Sequence, residues 1–196
     1  GVYYSTNDSM YLNWKQAGSY GGIRGTQQKF RDPTAWSHHV IAIDSTLSSA
    51  TDRIKWYFNG VRITDFEDSS YTLAQNATIK NWSNTQDKIE IGSFYQNNNA
   101  LNLANHSLSH FHFTDGYAYQ ATDFGELDAT TGSWKIKTAP TVSYGSQGFW
   151  ILKDGNSLTD SSSNSNNFSV DSGTLTKTED NPSNNFAVWN VNMNNA

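Results

Sequence analysis

The chain has 196 residues, 36% of them hydrophobic and only 16% charged, with a formal net charge of -5 and no cysteine. At roughly 150 residues per domain this allows one large domain, or a domain with a smaller module. The acidic balance excludes a phosphate-tracking nucleic-acid surface, no apolar run approaches the ~20 residues that cross a bilayer, and the lack of thiols removes both disulfides and thiolate metal sites.

Solubility must therefore come from Asn, Ser and Thr. Asn and Ser favour turns, while Thr and the aromatic residues favour strands, and the composition predicts an all-β fold. The N-terminus lacks the basic-then-apolar layout of a signal peptide. The chain opens directly on strand-like Gly1 to Thr6, which suggests a processed or partial chain lacking N-terminal strands.

From Ser9 to Trp14, the apolar Met10, Leu12 and Trp14 alternate with Ser9, Tyr11 and Asn13, the period-2 pattern of a strand with one buried face. Gly18 to Gly25 reads as a glycine-rich turn with a short edge strand, and Arg31-Asp-Pro33 as extended or turn backbone. Trp36 to Asp44 places Trp36, His38, Val40 and Ala42 on one face and His39, Ile41 and Ile43 on the other, so a central strand is predicted. Ile54, Trp56 and Phe58 alternate with Arg53, Lys55 and Tyr57 up to Asn59-Gly60. That dipeptide signals a two-residue hairpin into Val61 to Thr64, because a type I′ turn needs positive φ at both positions.

Glu67 to Asp87 is polar and poorly periodic. Alternation resumes at Lys88 to Gly92 and at Ser107 to Phe113, with Gln96 to Ala100 a loop by composition. Ala121 to Glu126, with Thr122 resembling an N-cap, is the one candidate for a helical turn. Ser133 to Lys137 and Gln147 to Lys153 read as short strands. The domain then spans 1–153, a Ser/Asn-rich loop or linker 154–173, and edge strands or the start of a following module 174–196. Asn167 to Val170 and Thr174 to Lys177 are the candidate edge strands. No heptad or other repeat is present.

The order Trp36-x-His38, a hydrophobic strand ending at Asp44, the stretch through Asn59-Gly60, Ile89-x-Ile-Gly92, Leu108 to Phe113 and the turn near Phe124 resembles the laminin-G-like, concanavalin A-like jelly-roll family. The resemblance covers roughly Phe30 to Glu126. It implies a two-sheet antiparallel sandwich with at most one short helical turn. Phe30-Arg-Asp-Pro-Thr-Ala-Trp36, Asp123-Phe-Gly-Glu126, Gly132-Ser-Trp-Lys135 and Asp180 to Phe186 further resemble blocks of marine bacteriophage virion proteins. These blocks extend the likeness to about Phe186 and imply a fragment of a larger structural protein at the virion surface.

The same jelly roll carries glycosidases that use paired carboxylates, often in Glu-x-Asp-x-x-Glu. Glu126-Leu-Asp128 begins that pattern, but Thr131 stands at the third acidic position, so no acid/base partner is present. His110-Phe-His112 would set two imidazoles on one strand face, with no third ligand marked by spacing. Laminin-G-like modules often hold calcium at the rim, and the resemblance implies Asp44 and Asp115 as ligands, although strand-terminal Asp is also common as a turn former. No motif requires a cofactor.

Trp14, Trp36 and Trp56 lie in phase with apolar neighbours and read as core. Trp82, Tyr95, Tyr117 and Tyr119 fall at loops or strand ends, beside Asn97, Asn98 and Asn99. Aromatic faces with nearby amides suit a sugar, and the same rings suit a protein interface. The expectation is a non-enzymatic virion protein, in a tail fibre, appendage or decoration, that attaches to other subunits, to a cell-surface polysaccharide, or both. A secreted carbohydrate-binding adhesion module and a glycan-cleaving enzyme are the alternatives. A homo-oligomer is compatible with either, although no heptads argue for a trimer.

Overall fold

The predicted alternation around Leu12 forms a seven-residue strand that is paired along both edges. The computed structural model describes residues 1–16, 19–32, 35–67, 72–80, 89, 91–92, 94–96, 99–101, 106–153, 157–177 and 181–182. Among them the chain is mostly β, in several small antiparallel sheets, with one four-residue helix. No helix among the described residues is long and apolar enough to cross a membrane.

Strands β1 (Val2–Tyr4), β2 (Met10–Gln16), β3 (Ser19–Gly25) and β7 (Ile79–Lys80) make the first sheet. One edge of β2 pairs with β3. Along the other, β1 covers Met10 to Leu12 and β7 covers Lys15 and Gln16. The region predicted as a turn with a short edge strand is thus a seven-residue strand, with a register shift between Trp14 and Lys15. Glycine helps here rather than hindering. Tyr11 lies opposite Gly25, and its ring occupies the space a Cβ would need.

The second sheet has the order β4 (His39–Ile43), β5 (Ile54–Phe58), β6 (Val61–Ile63). Asn59 at φ 45° and Gly60 at φ 81° supply the positive φ pair predicted for the hairpin. The prediction of a central strand from Trp36 is corrected in two ways. Strand β4 begins at His39, because His38 engages the turn instead: its N–H donates to Asn59 Oδ1 at 2.9 Å and its carbonyl accepts from Asn59 N. The strand paired on both sides is β5, whose Trp56 and Tyr57 are buried on opposite faces. Trp36, expected in the core, is half-buried outside any strand.

Met10, Leu12 and Trp14 of the first sheet meet Ile54, Trp56 and Ile63 of the second, with Leu73, in the main core. Removing Leu12 and Ile54 from water contributes on the order of 2 kcal/mol each. Arg53 is held inside by three carbonyls, donating to Leu47 O, Leu73 O and Ser48 O at 2.7, 2.8 and 2.8 Å. At the rim Glu67 collects Asn7, Ser9, Tyr11 and Lys29, and the hydrogen bonds from Lys29 and then Tyr11 hold its carboxyl down to about 2.

Strands β8 (Phe94–Gln96) and β9 (Asn99–Leu101) pair with each other, so Gln96, Asn99 and Ala100 of the predicted loop lie in strands. Residues 89, 91 and 92 lie outside any strand, where one was expected. Strand β10 (Phe111–Phe113) is shorter than the predicted 107–113, because His110 turns away at φ 50°. It pairs with β13 (Phe149–Ile151). The helical turn forms as α1 (Ala121–Phe124), but its cap is Gln120 and not Thr122: the Gln120 N–H donates to Asp123 Oδ2 at 2.7 Å, closing a capping box. Strands β11 (Gly125–Leu127) and β12 (Trp134–Ile136) follow as a hairpin.

The Ser/Asn-rich stretch, described from residue 157, folds over β10 and β13. Leu158 and Phe168 pack on Phe149, Ile151 and Leu152. Asp160, 7% exposed, accepts from Trp150 N, Ser162 N, Ser162 Oγ and Asn166 N. Burial pushes its carboxyl upward, and those four bonds outweigh burial and hold it below the usual range. A carboxylate ringed by donors is a loop staple, the reverse of a cation site. No strand forms at 167–170 or 174–177.

Candidate glycan-binding site

Two loops beside the end of β10 build an aromatic rim. After Phe113 the chain turns sharply through Gly116 at φ 78°, and Thr114 Oγ1 donates to Tyr117 O at 3.0 Å to close the turn. The turn lifts Tyr117 out, 50% exposed, and stacks it on Tyr119 with ring centroids 5.6 Å apart and planes 17° apart. Tyr119 is fixed from behind. Its hydroxyl oxygen accepts from Ser143 N at 2.8 Å, and its ring stands edge-on to Phe124 of α1.

The second loop, 142–147, is bound to the first by Asp115. The Asp115 N–H donates to Tyr144 O at 2.9 Å, while its Oδ2 accepts from Ser146 Oγ at 3.2 Å and Gln147 N at 3.3 Å. Gly145, at φ 66°, is required here because a Cβ would strike the Asp115 carbonyl. Below the rim, His112 Nδ1 is 2.8 Å from Tyr144 Oη, and the His112 ring stacks on Trp150 at 4.9 Å. Burial, then the neighbouring His110 and His38, holds His112 down to about 3, and burial pushes Tyr144 up. His112 and Tyr144 are therefore both neutral at pH 7.

Of the residues expected to bind a sugar or partner, Tyr117 and Tyr119 come together, and Asp115, expected as a metal ligand, joins them as a loop brace. Tyr95 lies in β8 and Asn99 in β9, in a separate two-stranded sheet. Trp82, Asn97 and Asn98 lie outside the described residues. Asp44 accepts from Thr46 N at 3.0 Å and Thr46 Oγ1 at 2.6 Å, and these bonds lower its pKa while tying it to its own turn. Among the described residues no group of three or more His, Cys, Asp or Glu converges as metal ligands.

The carboxylates considered for glycosidase chemistry share one ammonium: Lys135 Nζ is 3.3 Å from Glu126 Oε1 and 3.5 Å from Asp128 Oδ2. Asp128 also caps its turn through Thr130 N and Thr131 N. Of the expected pair of imidazoles only His112 lies in the strand; His110 precedes it at φ 50°, and both rings lie against Trp150, with centroids 6.4 and 4.9 Å away. A Ser–Lys contact absent from the sequence motifs appears at Ser9, whose Oγ accepts from Lys29 Nζ at 2.7 Å. Ser9 is fully buried and donates to Glu67, so this contact belongs to the Glu67 network.

Sequence reasoning missed Ser143, Ser146 and Gln147, which fix the rim from 24 to 32 residues away. Only the turn formers Asp115-Gly116 and Gly145 hinted at two facing loops. The chain matches no family model, no curated protein and no solved structure.

Proposed function

We propose that the chain is a non-enzymatic, jelly-roll-type sandwich module of a bacteriophage virion surface protein, and that it recognises a cell-surface polysaccharide through the Tyr117 rim. The observation that carries the binding reading is the exposed Tyr117 ring held by stacking on Tyr119. A pyranose presents an apolar C–H face to such a ring, and a ring already fixed loses little entropy on binding. The main core, shared by side chains of two antiparallel sheets, supports the sandwich architecture. The residue blocks at 30–36, 123–126, 132–135 and 180–186 support the virion assignment through their resemblance to phage structural proteins.

The test is retention of the purified chain on immobilised envelope polysaccharide, beside its detection by mass spectrometry in purified phage particles. Retention that Tyr117→Ala weakens roughly five- to tenfold, with unchanged thermal stability, is the expected result. Equal retention of both chains, or none of either, removes the glycan assignment. Absence from every particle removes the virion assignment.

A further inference from the structure

We infer that the Tyr117 rim selects neutral, hydroxyl-rich sugars and rejects uronate- or sulfate-bearing ones. This rests on the glycan reading above and deepens it by naming the ligand class. Three features of the rim carry it.

The first is the stacked ring itself, which accepts any pyranose face. The second is a pair of oriented polar groups. The Tyr119 oxygen accepts from Ser143 N, and no acceptor for its O–H is present among the described residues, so the hydroxyl can also donate to a ligand. Asp115 uses Oδ2 for Ser146 and Gln147, leaving Oδ1 without a donor among the described residues and fixed in direction by the other two bonds. One donor and one charged acceptor, each two residues from Tyr117 on the same loop, match a sugar hydroxyl pair. A hydroxyl that reaches the carboxylate makes a charge-assisted bond, stronger than one to a neutral acceptor.

The third feature is charge. Residues 114–119 and 142–147 contain one carboxylate, Asp115, and no Lys or Arg, within a chain of net charge -5. An anionic sugar placed on Tyr117 would meet a loop that carries Asp115 two residues away, with no cation on either loop to offset it. Like charges repel, and the repulsion is screened by salt.

The experiment is titration of the intact chain with a neutral β-glucan and, separately, with alginate, each at low and high salt, followed by the same titrations of Asp115→Asn. The wild-type chain is expected to bind the glucan with little salt dependence and alginate at least tenfold more weakly, with the gap narrowing as salt rises. Asp115→Asn retains an oxygen for Ser146 and Gln147, and it is expected to weaken glucan binding several-fold while strengthening alginate binding. Preference of the wild-type chain for alginate overturns the selectivity and leaves the glycan reading standing. Binding of neither polymer overturns both, and the wild-type comparison decides this even if the variant fails to fold.

Discussion

The indole N–H of Trp134 donates to Nδ1 of His38 at 2.9 Å, joining residues 96 positions apart, with the two rings stacked at 6.0 Å. One residue on, Trp56 Nε1 donates to His39 Nδ1 at 3.2 Å from the opposite face. Both imidazoles must therefore be unprotonated at Nδ1. Two consecutive histidines thereby tie the residue before β4 to β12 and the first residue of β4 to β5.

This pairing makes stability pH-dependent in a defined direction. Burial holds His38 and His39 down to about 4, and His112 to about 3, against an ordinary value of 6.5. In this range the unfolded chain binds more protons than the folded one, so stability is complete above pH ~6.5 and declines as pH falls towards 4. Each histidine removes up to ~3 kcal/mol by the bottom of that window. The urea midpoint is expected to be flat from pH 7 to 8 and clearly lower at pH 5. Equal midpoints at pH 5 and 7 would refute neutral burial of these rings.

Trp134 also lies over Gly60 and Gly125, in the space where a Cβ at either would stand. Gly60→Ala therefore combines strain at φ 81° with a steric clash, and a loss of ~2–4 kcal/mol is expected. Gly132, at φ 70°, has open space around it, and Gly132→Ala should cost only ~1–2 kcal/mol. Urea unfolding of the two variants side by side separates ring contact from backbone strain. Equal losses would mean that Trp134 does not press on the hairpin.

Tyr117 and Tyr119 should separate binding from folding. Tyr117→Ala removes an exposed ring and is expected to leave the melting temperature within about 1 °C, a surface effect of a few tenths of a kcal/mol. Tyr119→Ala removes the acceptor for Ser143 N and the edge contact with Phe124, so it should lower stability by ~1–3 kcal/mol as well as binding. Calorimetry with a parallel polysaccharide titration reads both. Loss of stability in Tyr117→Ala would show the ring to be structural.

Asp160→Ala leaves the buried Trp150 N–H without its acceptor and frees Ser162 and Asn166. A loss of ~2–4 kcal/mol is expected, with faster amide exchange confined first to residues 157–168. Asp160→Asn keeps an acceptor and should lose less. Unchanged exchange in Asp160→Ala would remove the staple role.

What could be read from the residues in order was local. Alternation placed Met10, Leu12 and Trp14 on one buried face, because successive strand side chains point to opposite sides. Asn59-Gly60 specified its hairpin, because few dipeptides tolerate two positive φ angles. A helical turn was legible at Ala121, and Tyr117 and Tyr119 could be placed in a loop beside a strand end. Tertiary structure decided the rest. The glycine-rich β3 needed Tyr11 across from it, and His38 left its strand because Asn59 offered a better partner. The rim at Tyr117 forms where Asp115 meets Ser146 and Gln147 and Tyr119 meets Ser143. Those meetings depend on closing loops of 24 to 32 residues, whose entropy is offset by packing that no short window of sequence contains.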